Sequence, residues 1–369
     1  MPASPYRTLY TSAPYSLVYR DFAIMPVMKI LGIESSCDET SAAVVEDGST
    51  LLSNVVESQI DIHAEYGGVI PEIAARSHIE AITPVISKAL KDARCEWSDI
   101  DAIAVTKGPG LSGSLLIGSL AARVLSITKH KSLYGLHHVE GHVYANFLLD
   151  PQPQFPLLAL IVSGGHSQLV LFRGHFDYTL LGQTRDDAVG EAFDKVAKII
   201  GLPYPGGPSI SKLAPSGDDT AIDLPIAKLE NPYDFSFSGL KTATLRAAQA
   251  AIGKDYTFPS FKIADQLTAT QQANFAASFQ RVAVKTLVNA TKRAFEEHSP
   301  ASVVIAGGVA ANQLLRDKLR SALPIEINYA PISLCTDNAA MIAALGYYKA
   351  QAVEPDSAYD LQIRPSWSM

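Results

Sequence analysis

His138 and His142 stand four residues apart in the segment His138-Val139-Glu140-Gly141-His142. Positions i and i+4 share one face of a helix, so two imidazoles at this spacing can grip one cation. Glu140 falls two positions after His138 and points away from that face. In the zinc-protease pattern the glutamate directly follows the first histidine, where it can work on the metal-bound water; the order here counts against a protease. On local grounds the histidines, with His137 beside them, serve equally well as ordinary helix-start residues. Two imidazoles need a third ligand, and Asp337, in Thr336-Asp337-Asn338-Ala339-Ala340, offers a carboxylate. Its local alternative is the N-cap of the last helix. Two imidazoles and one carboxylate leave open positions on a borderline metal such as iron or zinc.

Three glycine-rich turns form a second constellation. Gly108-Pro109-Gly110-Leu111-Ser112-Gly113-Ser114 and Ala306-Gly307-Gly308-Val309-Ala310-Ala311-Asn312 each join a strand to a helix, and Val162-Ser163-Gly164-Gly165-His166 joins two strands. Glycine lets backbone amides approach an anion, and a helix N-terminus adds its dipole. Each turn alone is ordinary; three at equivalent edges predict a nucleotide or another phosphate-bearing ligand. No Walker lysine follows any of them, so amides rather than a P-loop would hold the phosphate. Asp194 lies on an otherwise apolar stretch just before the glycines of 201–207, placed to accept ribose hydroxyls. Asp186 and Asp187 are explained by the dipole of the helix they open. The run Phe235-Ser236-Phe237-Ser238-Gly239-Leu240-Lys241-Thr242 reads as a buried strand followed by a turn, or as a phosphate-facing Lys241.

The elements that must carry these groups repeat. Apolar runs at 29–34, 41–46 and 50–56, separated by polar turns, make a three-stranded meander. A helix over 70–93, a strand at 101–106, a helix to 128, a strand at 132–136 and a helix through 147 follow, giving βββαβαβα. Three prolines within 151–156 mark a linker. The meander then recurs at 157–163, 167–172 and 178–182. Later come a helix over 265–298, a strand at 302–306, a helix from 309, a short strand at 325–329 and a closing helix over 338–350. Two such copies predict an α/β fold of two lobes with mixed sheets facing a cleft, by analogy with actin, sugar kinases and heat-shock ATPases. The lobes are residues 28–152 and 153–369.

Composition narrows the function. With 369 residues, 47% hydrophobic and 18% charged, the chain is long enough for two packed domains and unlike a disordered one. Thirty basic against 37 acidic residues, a net charge of −7, exclude the broad cationic face of a stand-alone nucleic-acid binder. Three cysteines without paired spacing, Cys37, Cys95 and Cys335, suggest neither a disulfide framework nor a cysteine-based zinc site, and fit a reducing compartment, the cytoplasm. No transmembrane segment is expected. Residues 1–27 differ from the rest, with four tyrosines among prolines and serines. They read as a disordered tail or an upstream start preceding Met25 or Met28; a mitochondrial or plastid transit peptide is the alternative.

Taken together, Gly32 to Thr40, Tyr66 to Glu72, the turn at 108–114, the His138/His142 pair, Val162 to His166, Gly190 to Lys195, Phe235 to Thr242, Gly307 to Asn312 and Cys335 to Asn338 resemble the TsaD family, in order over residues 28–350. Its members are tRNA N6-adenosine threonylcarbamoyltransferases, formerly called O-sialoglycoprotein endopeptidases, and the Tyr66 to Glu72 block resembles the bacterial and organellar branch. The resemblance implies transfer of a threonylcarbamoyl group from threonylcarbamoyl-AMP to N6 of the adenosine 3′ of the anticodon, in tRNAs reading codons that begin with A, with release of AMP. It implies that His138, His142 and Asp337 are catalytic and bind one divalent metal, iron first, with zinc or magnesium as alternatives. It implies contacts to the adenylate from Val162, Ser163, Gly164, Gly165, His166, Asp194, Gly207 and Asn312. At Ser211 many relatives carry an acid, which puts one ribose contact in question. The partners it implies are tRNA, a degenerate paralogous lobe-like protein, a P-loop ATPase and a separate synthase that makes the adenylate. The acidic charge agrees with dependence on partners for tRNA binding.

Three other functions fit parts of the pattern. A metalloprotease would need a differently placed glutamate, a two-lobed small-molecule kinase would release ADP, and a non-catalytic nucleotide-binding partner would have no use for an intact His138, His142 and Asp337 set.

Overall fold

The computed structural model describes residues 27–369; the expectations for the N-terminal extension lie outside them, save for Val27. The first sheet opens with strands β1 (Lys29–Glu34), β2 (Glu39–Glu46) and β3 (Thr50–Ser58). Asp47 and Gly48, at φ of 49° and 69°, supply the left-handed residues of the β2–β3 turn. Helices α1 (Ile60–Ala64) and α2 (Pro71–Asp92) follow, then β4 (Ala102–Gly108), α3 (Ser112–Lys129), β5 (Ser132–His137) and α4 (His138–Tyr144). Strand order is β3-β2-β1-β4-β5; β1 pairs antiparallel with β2 and parallel with β4.

The second half repeats this plan. Strands β6 (Leu157–Val162), β7 (Ser167–Gly174) and β8 (Asp177–Gln183) form the meander. Helices α5 (Val189–Ile199), α6 (Gly206–Leu213), α7 (Ser238–Ala251) and α8 (Ala269–His298) precede β9 (Ser302–Ala306). After it come α9 (Gln313–Ala322), β10 (Ile327–Tyr329), α10 (Ile332–Cys335) and α11 (Ala339–Ala352). The order β10-β9-β6-β7-β8 is the first sheet's order with each strand replaced by its counterpart, and β6 pairs antiparallel with β7 and parallel with β9. Central strands β1 and β6 are near-continuous apolar runs because both faces are covered.

Several boundaries differ from the sequence reading, two of them for a capping reason. The helix expected from 265 begins at Ala269, where Thr268 and Gln271 form a capping box. The helix expected from 309 begins at Gln313, because Asn312 accepts from Leu315 N and closes the helix start. The acids at 186 and 187 precede a helix that starts at Val189. Phe235 makes only an isolated bridge to Thr184, and the turn expected after it is the start of α7.

The chain from Ala339 onward was grouped with the second lobe by sequence, yet α11 packs across β1, β2, β4 and α4 of the first. It comes so close that a Cβ on Gly32 would overlap the Ala339 carbonyl and lie 2.9 Å from the Ala343 Cβ. A single apolar cluster accordingly runs from the second sheet through α11 to one face of the first sheet, while α2 and α3 cover the other face. Among the described residues no helix is long and apolar enough to cross a membrane.

Candidate metal and nucleotide site

The C-terminal ends of the parallel strands converge on one region, as ligand sites in open α/β sheets do. His137, the last residue of β5, caps α4: its Nδ1 accepts from the amides of Val139 at 3.2 Å and Glu140 at 3.4 Å. That cap starts the helix so that His138 and His142, one turn apart, face the same way with ring centroids 4.7 Å apart.

The third group arrives from the far end of the chain. Asn338, not Asp337, caps α11, its side chain accepting from Met341 N at 3.1 Å. The capping alternative for Asp337 is thereby overturned, and its carboxylate is free to turn to the histidines. Asp337 Oδ1 lies 3.3 Å from His142 Nε2 and 3.5 Å from His138 Nε2. One donor atom from each of the three residues lies within 4.8 Å of the others.

Behind His138 stands a carboxylate that the sequence reading did not single out. Glu34, fully buried at the end of β1, places Oε2 3.1 Å from His138 Nδ1, and its oxygens also accept from Thr106 Oγ1 at 2.5 Å and Ser36 N at 2.6 Å. The arrangement assigns a proton to Nδ1 and aims Nε2 at Asp337, the orientation that a carboxylate behind a metal-ligating histidine imposes. Burial raises the Glu34 carboxyl, but the charge and hydrogen bond of His138 together with the Thr106 hydroxyl hold it below its ordinary value. Burial lowers the His138 imidazole, but Asp337 and Glu34 overcome it and raise it to about 9. Asp337, raised by burial, is held well below the carboxylate range chiefly by His138 and then by His142.

These residues fit a divalent cation. His142 is buried, its Nδ1 has no hydrogen-bond partner and its Nε2 is turned to Asp337 Oδ1 without a well-formed hydrogen bond, a costly state that a cation held between them relieves at Nε2. The donor set of two imidazoles and one carboxylate suits iron or zinc. Glu140, the protease candidate, lies against the Tyr178 hydroxyl instead, and burial raises its carboxyl.

The turn from Val162 to His166 follows β6. Ser163 N donates to His166 O at 2.8 Å, and Ser163 O accepts from Gly190 N at 3.3 Å, so α5 starts beside this turn. Gly164 and Gly165 are exposed, and a Cβ on either, or on Gly207, would meet nothing within 4 Å. Burial, followed by the charges of His138 and His142, lowers His166 to about 4 and keeps it neutral. Gly307, at φ of 88°, crosses against the Val162 carbonyl and joins the turn after β9 to the turn after β6.

Two predicted ligand contacts have their side chains engaged elsewhere. Asp194 Oδ1 accepts from Gly206 N at 2.7 Å and so supports the start of α6. Asn312 donates to Ser211 Oγ at 3.0 Å and to Gln280 Oε1 at 2.9 Å, and Ser211 also donates to Gln280 at 2.9 Å. At Ser211, where an acid was the alternative, the hydroxyl closes this three-residue ring. Lys241 is ion-paired to Asp187 at 2.7 Å, and Lys195 holds the other Asp187 oxygen at 2.9 Å. Its phosphate-facing reading thus meets a charge already matched within the protein. Tyr204 is raised by burial and then by the charges of Asp38 and Asp194.

A sequence profile of the family described as TsaD, tRNA N6-adenosine threonylcarbamoyltransferase, matches residues 50–344. A protein of that name from Symbiobacterium thermophilum is 55% identical over 322 residues, covering 86% of this chain and 91% of its own. One from Thermomicrobium roseum is 51% identical over 339 residues, covering 88% and 92%. Among solved structures, full-length HypF in the phosphate- and nucleotide-bound form superposes with a TM-score of 0.56 at 12% identity, over 89% of this chain and 47% of that one. Component A of the Acidaminococcus fermentans (R)-2-hydroxyglutaryl-CoA dehydratase does so at 0.50 and 15% identity, over 88% and 99%. At these identities the structural likeness concerns fold alone, and it agrees with the two-lobed α/β architecture. The chain belongs to the tRNA N6-adenosine threonylcarbamoyltransferase family, a family of transferases.

Proposed function

We propose that the protein transfers the threonylcarbamoyl group of threonylcarbamoyl-AMP to N6 of the adenosine 3′ of the anticodon, in tRNAs reading codons that begin with A. The observation that carries this reading, in a chain of this family, is the convergence of His142 Nε2 and His138 Nε2 on Asp337 Oδ1, at 3.3 and 3.5 Å. His138, His142 and Asp337 would hold one divalent ion, iron first and zinc or magnesium otherwise, which when bound supplies a Lewis acid for charge developing on oxygen.

The remaining work falls to the chain. The substrate is a mixed anhydride and is already activated, so no covalent enzyme intermediate is required. N6 forms a bond to the carbamoyl carbon, the bond from that carbon to the phosphate oxygen breaks, AMP departs with the electron pair, and N6 loses one proton. Holding the carbonyl against the incoming amine accounts for much of the acceleration. The turn after Val162 would bind the nucleotide through the exposed Gly164 and Gly165, its shape held by the bonds between Ser163 and His166, while Gly207 has open space around it. Asp194 and Asn312 serve the same pocket through the helix starts they hold. Neutral His166 adds no charge that would compete with the cation.

The net charge of −7 supports partners for tRNA binding: a degenerate paralogous lobe, a P-loop ATPase and a synthase for the adenylate. Three free cysteines support a reducing compartment, the cytoplasm. The test is reconstitution with the adenylate, substrate tRNA and partner proteins, followed by mass spectrometry of the nucleosides. The modified adenosine should form with the wild-type chain and not with His138→Ala. Turnover of ATP on a small acceptor, without use of the adenylate, would replace this reading with that of a kinase.

A further inference from the structure

The last residues of the chain form a strap that returns to the first lobe and ends against the metal-bearing helix. Asp356 begins it: its amide donates to Leu133 O at 2.8 Å, and Gly135 N donates to its Oδ2 at 2.7 Å. Arg123 then holds the Ala358 carbonyl at 2.6 Å and the Tyr359 carbonyl at 2.8 Å. Leu361 is buried in the core of the first lobe. Beyond it, Arg364 N donates to Lys107 O at 2.6 Å, and Gly110 N donates to Pro365 O at 3.1 Å. A Cβ on Gly108 would overlap the Arg364 carbonyl, so that glycine is required for the strap to lie where it does.

The strap finishes on His137. The Trp367 ring stands edge-on to the His137 imidazole, with centroids 4.7 Å apart and planes at 62°. Lys107 Nζ and the Arg364 guanidinium lie 5.4 and 5.3 Å from the Trp367 ring centre, close enough for cation–π attraction to fix the indole. His137 is the residue whose Nδ1 caps α4, directly before His138. One short segment therefore touches both the glycine turn at 108–114 and the cap that aims the two imidazoles.

We propose that Trp367 is a positioning residue of the metal site, acting through His137, and that the strap at 356–367 locks the 108–114 turn to the first turn of α4. This rests on the metal reading of His138, His142 and Asp337. The cap bonds from Val139 and Glu140 are long, at 3.2 and 3.4 Å, and the packing of Trp367 adds to what holds the imidazole in place.

The test compares full-length wild type, Trp367→Ala and Trp367→Phe in three measurements. These are cobalt(II) affinity by competition with a chelator, hydrogen exchange of the amides at 137–142, and global melting. Trp367→Ala should weaken cobalt binding on the order of tenfold, the low end for loss of a residue that orients a ligand. It should also speed exchange at Val139 and Glu140, while Trp367→Phe, which keeps a ring, restores most of both. Should Trp367→Ala fail to fold, the same comparison is made between Trp367→Phe and Trp367→Leu. Wild-type exchange and cobalt affinity in the ring-less variant would overturn the proposal, as would changes no larger at 137–142 than across the rest of the first lobe. A wild-type chain that binds no cobalt would instead remove the metal reading, and the exchange measurement would still decide whether Trp367 holds the cap.

Discussion

Glu34 Oε2 lies 3.1 Å from Nδ1 of His138, a residue 104 positions later in the chain. Both are buried, and the contact ties the end of β1 to the start of α4. Glu34→Gln keeps the shape but removes the charge that orients and polarises the ring. It should lower metal affinity roughly 10- to 100-fold, as loss of such a partner does elsewhere. Chelator competition measures this; unchanged affinity would show that His138 is positioned by other means.

His142→Ala removes a buried imidazole whose Nδ1 has no hydrogen-bond partner and whose Nε2 faces Asp337 Oδ1 at 3.3 Å, so it leaves a cavity and takes a neighbour from the carboxylate. Threonylcarbamoyl transfer should fall to background while the protein stays folded, at a cost of about 1–3 kcal/mol in stability. Asp337→Asn, which keeps an oxygen donor, should retain part of the activity. Equal loss in both variants together with global unfolding would point to a purely structural role.

His78 connects α2 to the β1–β2 turn: Thr40 Oγ1 donates to its Nδ1 at 2.7 Å, and its Nε2 donates to Cys37 O at 2.9 Å. Burial lowers its pKa below the ordinary 6.5, so the unfolded chain takes up the proton first as pH falls. The stability that neutral His78 contributes is complete above 6.5 and is lost as pH drops through that value toward the folded-state pKa. Urea midpoints at about pH 7.5 and about pH 5.5 should differ less in His78→Gln than in wild type. An equal difference would assign the acid sensitivity to other groups.

Gly32 sits on β1 directly beneath α11, where a Cβ would overlap backbone of Ala339 and approach Ala343 N at 2.8 Å. Gly32→Ala should destabilise by about 1–3 kcal/mol, the range for overpacking a close contact. It should also weaken metal binding, because Asp337 lies two residues before Ala339 and moves with the helix. Thermal melting and metal titration check the two effects. A destabilised variant with wild-type metal affinity would show that Asp337 is held independently of α11.

Much of this was readable from residues in sequence. The duplicated meander shows in the short apolar runs and the polar and glycine turns between them, and the His138/His142 pair in its spacing. Partners distant along the chain were not readable. Glu34 looks like any acid at a strand end, Gln280 like a helix-surface amide, and the 353–369 tail like a loop. Adjacent candidates for one role were also ambiguous: Asp337 and Asn338 both suit an N-cap, and only the path of the chain into α11 gives the task to Asn338. Asn312 likewise has sequence features of a ligand contact and a helix cap, and its carbonyl oxygen performs the second.

The most direct test is the metal content of purified protein reconstituted with iron(II) and freed of loosely bound ions. One ion per wild-type chain, with none retained by either His142→Ala or Asp337→Ala, is the expected result. Full occupancy in either variant, or a wild-type chain that retains no ion while still modifying tRNA, would contradict the convergence of these three side chains on a functional cation.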